Sequence, residues 1–422
     1  MENKHTLTDL YQMQALPLSA KIRMTKYRIR QWIEEYGEDG VYVSFSGGKD
    51  STVLLHLVRE DYPNVPAVFV DTGLEYPEIR EFVKSFENVE WLRPKMNFKQ
   101  VIQKYGYPFF SKETSECIAE TRKYIKILTD RQTDRQMVPY AYRIADMLGI
   151  DRRENKDNEA YKNLKMGIIP NIPIRIKQLL GLTGEQFGSM YDKSRYLFMI
   201  EAPFEVSNRC CKVMKKTPVH LYGKQTGRKP FTAQMASESK LRTSTWIKNG
   251  CNAFNAKNPI SNPMSFWTEQ DVLTYIRLYG NDMVRRRAEQ SHEYMKYGDR
   301  YVSRKTGATM NSVEIGRPIC SVYGEVVTED EEYGQMTLAD VTDFGIFDFG
   351  RPLLKTTGCE RTGCMFCGYG CHLEKSPGRF ERMKITHPKQ YEYIMKDIPE
   401  GGLGYKKIID WINEHGNMNI KY

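Results

Sequence analysis

The sequence contains no apolar run approaching the ~18–20 residues that a membrane helix needs, and its opening stretch, MENKHTLTDL, lacks the apolar core of a signal region. These two absences exclude a spanning helix and give the expectation of a cytoplasmic protein with no membrane partner. In that compartment the nine cysteines are expected to be thiols or metal ligands rather than disulfides. Internal repeats and low-complexity linkers are absent as well. Wholesale disorder is excluded by 27 Tyr and 18 Phe. The 422 residues, 40% hydrophobic, suffice for a sizeable core and exceed the usual size of one domain. Basic residues exceed acidic ones by 62 − 53 = 9. That excess suits nucleotides or nucleic acid, and equally suits a solvated basic surface.

Alternation of continuous apolar strands with helices dominates the first hundred residues. SAKIRMTKYRIRQWIEEY (19–36) has helical spacing with Ser19 as its cap, and places Lys21, Arg23, Lys26, Arg28 and Arg30 on the remaining surface. VYVSF, VPAVFVDTG and VEWLRP read as buried strands, and PEIREFVKSF as a helix with Pro77 in its first turn. This pattern predicts an α/β fold, a parallel sheet flanked by helices. Residues 111–195 are charge-dense and helical in character, an expected helical insertion. YLFMIEAPF (196–204) is expected to return the chain to the core, and WTEQDVLTYIRLYG (267–280) is an amphipathic helix. The expected division is therefore 1–110 with 196–280 as a nucleotide-binding α/β domain, 111–195 as the insertion, and 281–422 as a Cys-rich, helical C-terminal region.

The chemistry concentrates first in VYVSFSGGKDS (41–51), which is neither a Walker A loop nor G-x-G-x-x-G. A parallel strand delivers the chain to the carboxyl edge of the sheet. Gly47 and Gly48 permit positive φ and close backbone approach to an anion. The helix that follows offers its unpaired N–H groups. Ser46 and Ser51 add hydroxyls, and Lys49 adds a charge. Asp50 suits a helix start or an indirect hold on Mg²⁺. The reading is a phosphate-binding loop.

SFSGGKDSTVLLHL (44–57), VFVDTGLEYPEIREFV (68–83), CCKVMKKTPV (210–219), GRKPFTAQMASESKLR (227–242) and WTEQDVLTYI (267–276) together resemble the phosphoadenosine phosphosulfate reductase-like family of PP-loop, N-type ATP pyrophosphatases, with an adenine nucleotide alpha-hydrolase-like fold. The resemblance implies that Ser46, Gly47, Gly48, Lys49, Asp50 and Ser51 bind the phosphates of ATP, with Lys49 and Asp50 catalytic. It places Asp71 and Thr72 near the nucleoside, and Arg228 and Arg242 around the anion. Asp71 lies 71 − 48 = 23 residues past Gly48, which suits a ribose carboxylate; a turn-forming Asp in DTG fits it equally. Each arginine equally fits a surface ion pair.

GCERTGCMFCGYGC holds Cys359, Cys364, Cys367 and Cys371 in C-x4-C-x2-C-x3-C spacing, four thiols within 13 residues. Such spacing signals a metal, an iron–sulfur cluster ahead of zinc. The resemblance adds a second set: Cys210 and Cys211 with Cys364 and Cys367 would hold a [4Fe–4S] cluster. Both sets contain Cys364 and Cys367. Cys117, Cys251 and Cys320 are expected to be buried structural thiols.

The intact loop, and a chain ending HGNMNIKY without an E-C-G-[IL]-H motif, point away from sulfonucleotide reduction. The expected activity is ATP pyrophosphatase chemistry: adenylation of an acceptor for sulfur transfer, with tRNA or DNA as acceptor and a sulfur-donor protein as partner. The alternatives are a phosphoadenosine phosphosulfate or adenosine phosphosulfate reductase, and a non-enzymatic regulator that binds nucleotide and nucleic acid.

Overall fold

The computed structural model describes residues 3–129, 173–181, 191–298, 300–310, 316–328 and 353–422. By packing, the chain divides into one unit of 1–94 with 215–365, and another of 95–214 with 366–422. The three-part division by sequence pattern stands as a proposal beside this one.

The first unit holds helices α1 (Leu7–Gln14) and α2 (Leu18–Tyr36), then β1 (Val41–Ser44), α3 (Lys49–Asp61), β2 (Ala67–Val70), α4 (Pro77–Lys84) and β3 (Val89–Leu92). After the second unit is traversed, β4 (Lys229–Phe231), α5 (Lys240–Asn249), β5 (Asn252–Ala253), β6 (Ile260–Ser261) and α6 (Glu269–Gln290) follow. The six strands form one sheet in the order β3-β2-β1-β4-β6-β5. Only the β5–β6 edge is antiparallel. In β1, Val43 pairs with Ala67 on one side and Phe231 on the other. The chain winds one way from β1 to β2 and β3, and the other way to β4. The carboxyl end of β1 is thus the topological switch point, where open α/β sheets bind ligands. Burial of Val41, Tyr42 and Val43 explains why β1 is apolar without alternation.

Two details of α2 differ from the sequence-based expectation. The helix begins at Leu18 behind Pro17, which has φ −62°, so Ser19 lies inside it and does not cap it. Lys21, expected on the charged outer face, is buried, and its Nζ reaches Asp271 Oδ2 at 2.7 Å. About one turn further along α2, Thr25 Oγ1 accepts a hydrogen bond from Trp267 Nε1 at 2.9 Å. The first turn of α6 gathers these links. Thr268 caps it through Asp271, Asp271 holds Lys21, and Gln270 exchanges two 2.9 Å hydrogen bonds with the Leu354 backbone. Leu354–Thr356 in turn pairs antiparallel with Val326–Thr328.

In the second unit, Lys112–Thr129 and Ile174–Leu179 are helical. The remainder of the expected insertion, 130–172 and 182–190, lies outside the described residues. Residues 194–201 form a 3-10 helix of this unit rather than a strand of the sheet. Helices Arg379–Thr386, Pro388–Met395 and Tyr405–Gly416 complete it. Among the described residues no helix is long and apolar enough to cross a membrane.

Replacing Asp271 with Ala strands the buried Lys21 ammonium and removes the Asp271 half of the α6 capping box. The expected loss is about 3–5 kcal/mol of unfolding free energy, read by urea denaturation against wild type.

Candidate functional site

The phosphate loop leaves β1 at Phe45 and enters α3 at Lys49. Gly47 has φ +71°, and a Cβ there would stand 2.8 Å from Ile79 Cγ2 and 2.9 Å from Val83 Cγ2 of α4. Both backbone freedom and close packing therefore demand glycine. The serines organise the turn from within. Ser51 Oγ donates to Gly48 O at 2.9 Å and accepts from Ser46 N at 3.2 Å, and the two hydroxyls lie 3.0 Å apart.

Lys49 is 3% exposed. Its Nζ donates to Glu360 O at 2.8 Å and pairs with Glu269 Oε1 at 2.9 Å. Its backbone N–H, at the positive end of α3, donates to Tyr323 Oη at 3.3 Å. Asp50 Oδ1 is enclosed and has no hydrogen-bond partner among the described residues. Burial, and secondarily Glu269, push this carboxyl up, against the opposing pull of Lys49, Arg361 and Arg242. An enclosed carboxylate oxygen without a partner beside an anion loop fits a hydrated Mg²⁺.

The remaining expected residues divide sharply. Arg242 is at the site: it pairs with Glu238, and burial and the neighbouring Arg361 lower its pKa. Arg228 is not. It precedes β4 at the opposite edge of the sheet, where its Nε donates to Asp39 O at 3.0 Å and its Nη1 to Tyr222 Oη at 2.8 Å. The parallel register Val41–Lys229 explains this, because it sets the start of β4 beside the start of β1. Asp71 stabilises its own turn, accepting from Gly73 N at 3.3 Å and pairing with Arg80 Nη2 at 2.9 Å. The turn-forming alternative is the one this geometry displays. Thr72 is buried, and its N–H and hydroxyl both donate to Glu75.

Between β1 and β2 opens a cleft of about 620 Å³, counted with its mouth, floored by Ser44, Phe45 and Val68 and walled by Glu75, Lys215 and Thr362. Sequence reasoning missed Glu75, Glu269, Tyr323, Glu360 and Thr362. Glu269 had a local signal, the charged first turn of an amphipathic helix that ends at the sheet edge. The others reach the site by tertiary folding alone.

Cys359 and Cys364 belong to the first unit, and Cys210, Cys211, Cys367 and Cys371 to the second. In the second unit, burial and then the thiols of Cys211, Cys367 and Cys210 push the Tyr369 phenol up. Burial raises Cys371 to about 12, opposed by Arg379. In the first unit Cys359 bears electrostatically on Cys320. Each expected ligand set draws cysteines from both units. Among the described residues no three or more Cys, His, Asp or Glu side chains are arranged to hold a metal ion. Cys117, Cys251 and Cys320 are buried.

A glycine turn on the switch-point strand, a buried lysine and a serine-braced helix start make a loop of the kind that can receive an anion. Residues 40–145 match the family described as the phosphoadenosine phosphosulfate reductase domain. Over these residues the chain is similar to the phosphoadenosine phosphosulfate reductase domain, a family of the PP-loop superfamily. An uncharacterised protein of Methanocaldococcus jannaschii is 38% identical over 73 residues, 16% of this chain and 18% of the relative. The phosphoadenosine 5'-phosphosulfate reductase of Xylella fastidiosa is 37% identical over 68 residues, 16% of this chain and 27% of the relative. The adenosine 5'-phosphosulfate reductase of Geobacillus kaustophilus is 30% identical over 99 residues, 22% of this chain and 41% of the relative. The matches therefore span less than half the length of each of these relatives.

The raised pKa of Asp50 predicts a pH signature. A carboxyl whose folded pKa exceeds its unfolded value penalises the fold fully above the folded pKa and not at all below the unfolded one. Asp50→Asn is therefore expected to raise stability at pH 7, with the gain shrinking as pH falls towards 4, read by urea unfolding across that range.

Proposed function

We propose that the protein is an ATP pyrophosphatase-type enzyme that adenylates an acceptor, as the first half of a sulfur transfer. The observation that carries this reading is the intact SGGKDS loop, with Lys49 and the α3 N-terminus together at the switch-point strand. ATP would lie with its β,γ-phosphates on Ser46–Ser51 and its nucleoside in the cleft between β1 and β2. Mg²⁺, held through water by Asp50, would supply charge neutralisation between those phosphates. An acceptor oxygen attacks the α-phosphorus and forms a new P–O bond. The bond from the α-phosphorus to the α,β-bridging oxygen breaks, and its electron pair leaves with pyrophosphate. Lys49, the loop N–H groups and Arg242 stabilise that departing charge. The acceptor proton passes to solvent. In this scheme a sulfur nucleophile from a donor protein then attacks the activated centre; a bond to sulfur forms, the bond from that centre to the adenylated oxygen breaks, and AMP leaves with its electron pair, while the excess of nine positive charges suits tRNA or DNA as the acceptor.

Release of pyrophosphate from MgATP, assayed alone and with tRNA or DNA, tests the reading. Wild type is expected to release it, and Lys49→Ala to lose about 10²–10³-fold in rate. The names of the relatives favour a second reading, sulfonucleotide reduction. Thioredoxin-dependent sulfite production without pyrophosphate release would select it. Salt-sensitive nucleic-acid binding with neither activity would select a regulator.

For the thiols we propose an iron–sulfur cluster, [4Fe–4S], on Cys210, Cys211, Cys364 and Cys367. The local set Cys359, Cys364, Cys367 and Cys371 and a zinc ion remain its competitors. The thiol chemistry supports it, but the described side chains do not preassemble either set, so no reaction step is routed through a cluster. Iron and acid-labile sulfide in anaerobically purified protein are expected to be near four each per chain. One zinc without iron would refute the cluster, and undiminished iron in Cys210→Ala would select the local set.

A further inference from the structure

The segment between the first two cysteines of the motif lies on the phosphate loop. Its base is fixed: Thr357 N donates to Glu325 O at 3.0 Å, Gly358 N to Tyr323 O at 2.8 Å and Cys359 N to Val322 O at 2.9 Å. Its far end is fixed by Met365 N on Leu74 O at 2.8 Å. Between these anchors, three consecutive residues engage the loop. Glu360 O accepts from Lys49 Nζ at 2.8 Å. Arg361 reaches Glu269 Oε2 at 3.9 Å and Glu238 Oε1 at 3.7 Å. Thr362 Oγ1 lies 2.5 Å from Tyr323 Oη, the oxygen that accepts from Lys49 N.

Both polar groups of Lys49 that would receive a phosphate oxygen, its N–H and its ammonium, are therefore already answered from within the chain. The Tyr323 hydroxyl takes the helix-terminal N–H, and a carbonyl and a carboxylate take the ammonium. Arg361, which would attract the anion, is drawn to the two carboxylates that neutralise Lys49 and Arg242. A Cβ on Gly48 would lie 3.3 Å from Tyr323 Oη and 3.6 Å from Thr362 Oγ1, so the strap covers the loop at van der Waals range.

We propose that residues 359–364, with Tyr323, form a strap that imitates pyrophosphate and must be displaced when nucleotide enters, so that loop occupancy and the state of Cys359 and Cys364 are coupled. The proposal rests on the nucleotide reading of the loop given above. Nucleotide takes Lys49 from Glu360 and Glu269, and Tyr323 and Thr362 release the α3 N–H. Arg361 is then freed to face the incoming charge, and the backbone carrying both thiols moves with it. The coupling is reciprocal: whatever fixes those thiols in the strapped position weakens nucleotide binding, and the converse.

The test uses the full chain, purified anaerobically, with MgATP and inorganic pyrophosphate as separate probes. Tyr323→Phe combined with Thr362→Val keeps side-chain volume and removes both hydroxyls. Its binding of each probe, by titration calorimetry, is expected to be about five- to tenfold tighter than wild type, the worth of one or two hydrogen bonds. In parallel, thiol alkylation is followed by peptide mass spectrometry, with the buried Cys251 as internal reference. Either probe is expected to accelerate labelling of Cys359, the strap cysteine outside the proposed cluster, several-fold in wild type, and the double variant is expected to label rapidly without any probe. Binding by wild type with equal or weaker binding by the variant overturns the strap and leaves the nucleotide reading standing. Labelling rates indifferent to probe and variant overturn the coupling. Failure of every form to bind either probe overturns the nucleotide reading and the strap together.

Discussion

A buried ammonium needs anionic or carbonyl partners, and Lys49 is where that requirement governs this protein. The loop brings the lysine to the carboxyl end of the central strand, at the start of a helix whose own dipole adds positive potential. Two positive sources so close cannot be left unanswered. Glu269 on α6, the Glu360 carbonyl and the Tyr323 hydroxyl answer them. Three distant stretches of chain are thereby fixed around one side chain. The position of the segment that carries Glu360 follows from that arrangement.

The same economy of charge explains the acids around the loop. Glu238, Glu269 and Asp50 face Arg242, Arg361 and Lys49 in alternating fashion. In such a cluster an arriving polyanion does not meet naked cations. It exchanges places with carboxylates, and its net gain is the difference between two sets of ion pairs.

Much of this was legible in the sequence. Glycines 47 and 48 after an apolar run announce a turn that only a ligand-bearing sheet edge needs, and continuous apolar strands announce a parallel sheet. Pro77 in a first turn marks a helix start by local chemistry. What was not legible depends on register and on tertiary partners. Arg228 and Arg242 look alike in sequence, but strand pairing puts the first at the wrong edge and a helix carries the second to the right one. Lys21 reads as a surface charge until its partner 250 residues away is known. Tyr323 and Thr362 have no motif, because hydroxyls facing an amide carry no sequence signature.

The first turn of α6 has a role beyond its length. Thr268, Glu269, Gln270 and Asp271 reach, respectively, the helix's own cap, the phosphate-loop lysine, the strand that precedes the cysteine segment, and the buried lysine of α2. Four neighbouring side chains thus share one rigid turn while serving four separate regions. Substitutions among these regions will not combine independently, since each alters the frame on which the others are held. This turn is a point of constraint: change at any one region must be compatible with the geometry of the other three.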